Sequence, residues 1–138
     1  NISKYLDEGD IMMIKMALQE MIVNAMEHGN LNISFDEKTK AQEQGRLFDF
    51  MKERRELPEF KNRKVSIDYY LDDKKIAYRI TDMGPGFNYH EIMNKINNVV
   101  NQQALSHGRG ILMTQAVFDK VEYNGKGNQV LLIKHFEK

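Results

Sequence analysis

Two stretches of alternating apolar and polar residues, each turned back on itself by a short polar turn, constrain this chain most. Val65, Ile67, Tyr69 and Leu71 alternate with polar residues and lead through Asp72, Asp73 and Lys74 into Ile76, Tyr78 and Ile80. A period of two puts every second side chain on one face, so the pattern predicts a β-hairpin. Val121 to Tyr123 and Gln129 to Phe136 predict a second, turned at Asn124, Gly125, Lys126 and Gly127. Two segments are equipped to cover the resulting sheet. Residues 11 to 28 carry Ile11, Ile14, Leu18, Met21, Ile22 and Ala25 at helical steps of three and four, with Asp10 the expected N-cap and Gly29 the expected stop. Gly108 to Phe118 reads as a second buried helix. Strands joined by hairpins and two apolar helices imply a two-layer α/β sandwich.

The far side of the first helix is also apolar, through Met12, Met16, Val23 and Met26, which implies cover on two sides. Between Asp36 and Lys64, 16 of 29 residues are charged, and Leu47, Phe48 and Met51 form only a narrow apolar seam. That stretch reads as a solvated helical insertion ended at Pro58, or as a partner-docking surface. Tyr89 to Val99 is helix-like, and the polar run Asn101, Gln102 and Gln103 is a candidate lid.

At 138 residues the chain has the length of one domain. Twenty basic residues balance twenty acidic ones, so no chain-wide field favours a nucleic-acid backbone, and no nucleic-acid partner is expected. The absence of cysteine excludes disulfides, thiolate metal sites and cysteine nucleophiles, and nothing asks for an oxidising compartment. Ile11 to Ile14 and Val130 to Ile133 fall far short of the ~20 apolar residues that span a bilayer, so no membrane is expected and a cytoplasmic location is the default. Numbering from Asn1 suggests a piece of a longer protein.

Three clusters can carry chemistry. Glu20, Asn24 and His28 stand four residues apart and form one polar stripe on the first helix. A carboxylate beside an amide can polarise a hydroxyl and offer a hard oxygen ligand to magnesium; the alternative is an exposed helix face. Asp82, Met83, Gly84, Pro85, Gly86 and Phe87 follow a strand directly. Glycines there let backbone approach a ligand closely, and the aspartate can accept from an amino group; the alternative is a plain turn. Gly108, Arg109 and Gly110 open an apolar helix, whose N-terminal amides favour phosphate, with Ser106 and His107 as further donors; the alternative is a simple cap. No G-x-x-x-x-G-K-[ST] loop, H-E-x-x-H pair or G-x-S-x-G elbow occurs.

Taken in order, E-M-I-V-N-A-M-E-H-G (Glu20 to Gly29), D-M-G-P-G-F (Asp82 to Phe87) and H-G-R-G-I (His107 to Ile111) resemble the N box and two glycine boxes of the Bergerat-fold, or GHKL, ATPases. Within that superfamily the E-x-x-x-N-A-x-x-H-G box is most similar to that of the anti-sigma-factor serine/threonine kinases. The resemblance implies a mixed, mainly antiparallel sheet covered on one face by helices, and ATP with Mg²⁺ as ligands. It implies Asn24 as the Mg²⁺ ligand, Glu20 as general base, and His28 among the nucleotide-binding residues. Asp82 would hold the adenine amino group, with Gly84 and Gly86 beside the base, and Gly108, Arg109 and Gly110 would meet the phosphates. Where relatives carry a threonine that positions adenine, this chain has Gly127, Asn128 and Gln129, and the role passes to Asn128. The opening strand and most of the first helix of the fold are expected to be missing or cut short. Those pieces form the dimer in the minimal kinases, so a homodimer stays open.

The function implied is an ATP-binding serine/threonine protein kinase that phosphorylates an anti-sigma-factor antagonist and regulates a sigma factor or similar partner. The alternative is a nucleotide-dependent docking module without kinase activity. A histidine-kinase catalytic half is a third reading, weakened by the lack of an upstream helix pair bearing a phospho-accepting histidine.

Overall fold

The computed structural model describes residues 2–86 and 111–136. The helix-like segment Tyr89 to Val99, the lid stretch, and Gly108, Arg109 and Gly110 lie outside the described residues. After a short 3-10 turn at Ile2–Lys4 come helix α1 (Glu8–Asn24), a six-residue π turn (Ala25–Asn30), and helices α2 (Phe35–Glu43) and α3 (Leu47–Glu56). Strands β1 (Ser66–Leu71) and β2 (Lys75–Thr81) follow, then helix α4 (111–117) and strands β3 (Lys120–Tyr123) and β4 (Gln129–His135).

The four strands form one sheet in the order β1-β2-β4-β3, and every pairing among them is antiparallel. Both hairpins fall where alternation placed them. Helices and sheet meet in a core of Ile14, Ala17 and Met21 from α1, Ala25 at the start of the π turn, Ile80 from β2, Val117 and Phe118 at the end of α4, and Val130 and Leu132 from β4. The two-layer α+β arrangement is the one expected.

Three details depart from the sequence reading. The N-cap of α1 is Asp7, whose side chain accepts from Asp10 N–H at 2.8 Å, so Asp10 lies inside the first turn. From that cap the helix runs 17 residues. Gly29 does not stop it, because the chain widens into the π turn and Leu31 N–H reaches back five residues to Met26 O at 3.0 Å. The turn into left-handed backbone is taken by Asn32, at φ 51°, a conformation asparagine tolerates better than most residues. The far face of α1 is not covered, and Met12, Met16 and Met26 are exposed.

The charged stretch is helical, as expected, but its seam differs. Phe48 is 75% exposed, whereas Phe50 and Met51 pack on a small second core of Leu31, Ile33 and Phe60. With α3 starting at Leu47, residues 50, 51 and 54 share one face, which sets Phe48 on another. The helix ends at Glu56, two residues before Pro58. On β1, Ile67 and Tyr69 pair with the core-facing Ile80 and Tyr78, yet at this sheet edge they stay 48% and 72% exposed. No helix among the described residues is long and apolar enough to cross a membrane.

Candidate functional site

A cavity of about 270 Å³ opens between the end of α1, the segment after it, and the ends of β2 and β4. Its walls are mostly aliphatic, with Met21, Ala25, Ile33, Ile80, Ile111 and Val130. That size is just under the ~300 Å³ lower end of small-molecule sites, and apolar walls with few polar groups are what such sites use.

Asn24 is the last residue of α1 and lines the cavity with His28. The expected polar stripe therefore delivers two of its three members. Glu20 precedes Asn24 by four residues, about 6 Å along the helix axis; it is half-exposed and does not line the cavity. His28 lies in the π turn and its Nδ1 donates to Ile33 O at 2.5 Å, which fixes the ring against the returning chain. That bond assigns the proton to Nδ1, because a carbonyl can only accept.

Asp82 is 8% exposed and lines the cavity just after β2. Its backbone is held from the residue before β4: Asp82 N–H donates to Asn128 O at 2.9 Å, and Asn128 Nδ2 donates to Asp82 O at 3.3 Å. Asn128 Oδ1 in turn accepts from Asn124 Nδ2 at 2.8 Å. One oxygen of the carboxylate, Oδ1, accepts from Gly84 N–H at 2.8 Å. Burial pushes the Asp82 carboxyl above the ordinary aspartate value, while the Gly84 N–H and the positive charges of Lys126 and Arg63 pull the other way.

Glycine is required around this carboxylate for closeness more than for turning. A Cβ on Gly29 would fall on the Asp82 carboxylate, and one on Gly84 would fall on Gly29 O. Gly86 combines both demands, with φ at 87° and a Cβ that would strike Lys126 O. Gly84 and Gly86 are thus where the motif placed them; Gly29, read as a helix stop, belongs to the same packing.

Sequence reasoning missed Asn30 and Asn32. Asn30 is 5% exposed, and its Oδ1 accepts from Met83 N–H at 2.6 Å, which ties the π turn to the loop after Asp82. Asn32 lines the cavity beside Ile33 and Ser34. The run Gly29, Asn30, Leu31, Asn32 held the available signal, since two asparagines flanking an apolar residue after a helix mark irregular backbone. Among the described residues no cluster of histidine, aspartate and glutamate side chains could by itself hold a metal ion.

A family model for the histidine kinase-like ATPase domain matches residues 3–134. The chain belongs to that family. No curated protein matches it. As a histidine kinase-like ATPase domain it is an ATP-binding module of the GHKL type, and the match spans α1, the charged helices and all four strands. The cavity suits such a ligand: aliphatic walls accept a flat base, and a buried carboxylate offers an acceptor where backbone packs too closely for side chains.

Proposed function

We propose that this ATPase domain is a serine/threonine protein kinase of the anti-sigma-factor type. It would transfer phosphate from ATP to an anti-sigma-factor antagonist and so regulate a sigma factor or similar partner. The observation that carries the reading is the pairing of a buried Asp82 acceptor in an aliphatic slot with Asn24 at the slot's α1 end and Glu20 one turn earlier. Asp82 accepts from the adenine amino group, and Gly84 and Gly86 let the backbone close in tightly enough to hold that carboxylate at the cavity, with Gly86 on its wall beside the base. Asn128 lines the same cavity and braces Asp82, one amide N–H donating to the Asp82 carbonyl and its oxygen accepting from Asn124, which leaves a second N–H for the base. Gly108, Arg109 and Gly110 remain the proposed phosphate partners.

Asn24 is the side chain that would hold Mg²⁺, a hard cation suited to an amide oxygen, whose charge offsets that of the phosphates. Glu20 takes the proton of the attacking serine hydroxyl as the new O–P bond forms and the bond to the β-phosphate breaks, with ADP leaving. Such transfer asks mainly for positioning and charge balance, so a small residue inventory suffices. The test is Glu20→Gln with γ-labelled ATP and the antagonist. Nucleotide binding should persist and label transfer should vanish; continued transfer removes Glu20 from the role.

A second reading, a nucleotide-dependent docking module without transfer, is favoured by the bonds between the charged stretch and the chain that enters the cavity wall. Arg54 donates to the carbonyls of Leu31 and of cavity-lining Asn32, and Arg63 to that of Asn30. ATP binding by the intact chain with no label reaching any cognate antagonist would select this reading.

A further inference from the structure

Three consecutive carbonyls, the last of the π turn and the two after it, each accept a guanidinium N–H from the charged stretch. Arg63 Nη1 donates to Asn30 O at 2.8 Å, and Arg54 Nη1 donates to Leu31 O at 3.0 Å and Asn32 O at 3.3 Å. Carbonyls at a helix end lack intrahelical partners, so these side chains supply what the backbone cannot. Both guanidinium groups are themselves held. Arg54 Nη2 donates to Glu37 Oε2 at 2.8 Å, and its central carbon lies 5.3 Å from the Phe50 ring centre and 5.6 Å from that of Phe60. Arg63 lies 4.9 Å from the same Phe60 ring, which is buried. Planar cations over aromatic faces keep a fixed orientation, which a lysine does not reproduce.

The segment they hold leads into the site. Asn32 and the next residue, Ile33, line the cavity, and Asn30, outside its lining, carries the hydrogen bond to Met83, next to Asp82. We infer that Arg54 and Arg63 are positioning residues for the nucleotide, fixing from outside the cavity how the segment 30–33 stands against the Asp82 loop. The inference rests on the cavity being the adenine-nucleotide site. Arg63 acts in a second way, because its positive charge favours the ionised, accepting form of Asp82.

The experiment is titration of the intact 138-residue chain with a fluorescent N-methylanthraniloyl ADP, then competition by ADP and by GDP, alongside thermal unfolding. Arg63→Ala and Arg54→Ala should weaken ADP binding by about 3- to 30-fold, the range for residues that act on a ligand without touching it. The preference for ADP over GDP should shrink with it, a change that general loosening of the fold does not produce. Arg63→Lys and Arg54→Lys serve where the alanine variants fail to fold, and they should fall between wild type and alanine. Glu53→Ala, which removes an exposed 3.6 Å pair with Arg46 on the same helix, should change nothing. Wild-type affinity and base preference in folded Arg63 and Arg54 variants overturn the inference while leaving the site intact. Absence of ADP binding by the wild-type chain overturns the site reading and the inference with it.

Discussion

The Asp82 carboxylate occupies the space that a side chain on Gly29 would need. A residue in the π turn and a residue just after β2, 53 positions apart in the chain, are thereby packed as closely as two residues can be. The outcome of adding a methyl group differs on the two sides of this contact. Gly84→Ala drives a Cβ into the Gly29 carbonyl, which is backbone and cannot swing away, so a loss of roughly 1–3 kcal/mol is expected. Gly29→Ala meets the Asp82 side chain instead and displaces the carboxylate. The expected result is weak or absent ATP binding with a smaller stability loss. Denaturant unfolding of both variants, with and without Mg-ATP, separates the two.

Asp82→Asn keeps the shape of the side chain and removes its charge. Ligand at 100 times Kd adds ~2.7 kcal/mol to a folded state, and this stabilisation by Mg-ATP should be lost in the variant. An unchanged thermal shift would show that the carboxylate is not what the base meets.

The pH dependence follows from the same group. Burial raises the Asp82 value in the folded state, so between the ordinary aspartate value of 3.8 and the raised one the folded protein binds the extra proton. Its contribution to stability is complete below 3.8 and is lost as pH rises through the raised value. Nucleotide binding runs the opposite way, since the base needs the carboxylate, and affinity should fall as pH drops through the raised value. Titration of ADP affinity against pH should show this limb in the wild type and unchanged in Asp72→Asn, which removes a carboxylate away from the cavity. Asp72 behaves inversely: the Lys74 and Lys75 amides hold its carboxyl down at about 2, so its contribution is complete above 3.8 and is lost as pH falls from there through about 2. Asp72→Asn should flatten only the acid end of a stability profile.

The hairpins were legible because a period of two leaves few alternatives, and Asp82, Gly84 and Gly86 were legible because strand end and glycines sit together. The polar stripe was read on regular helix spacing, and that assumption fails at Ala25, where the chain widens into a π turn. The asparagines at 30 and 32 mark irregular backbone beyond the helix but not a π turn, in which Gly29 and Asn30 meet the distant Asp82 loop. The same limit hid the role of the charged stretch. Arg54 and Arg63 look like solvated charges in sequence, and only the fold brings them to carbonyls about 22 to 33 positions away.

Glu20→Gln tests the transfer step itself. Glu20 does not line the cavity, so the change should leave ADP affinity within about twofold while transfer falls by roughly 10²–10⁴, the range for losing a general base. Quench-flow with labelled ATP and the antagonist reads the rate. A parallel fall in affinity and rate would mean that Glu20 shapes the site and does not act in the reaction.

The capping box at the start of α2 links helix stability to the cavity wall. Ser34 Oγ accepts from Glu37 N–H, and Glu37 Oε1 accepts from Ser34 N–H, each at 3.0 Å. The second carboxylate oxygen of Glu37 takes the 2.8 Å bond from Arg54. The Ser34 amide and Arg54 hold the Glu37 carboxyl below its usual value, so this support is present at neutral pH and fades as pH falls through the lowered value. Ser34→Ala removes one half of the box and should cost about 0.5–2 kcal/mol. Glu37→Gln keeps an acceptor for Ser34 but weakens the hold on Arg54, so its larger effect should be on ADP affinity. A double-mutant cycle over Ser34 and Arg54, read by both unfolding and nucleotide titration, should give coupling in affinity beyond the sum of the single changes. Additive losses in both readouts would mean that the cap stabilises α2 alone and does not reach the site.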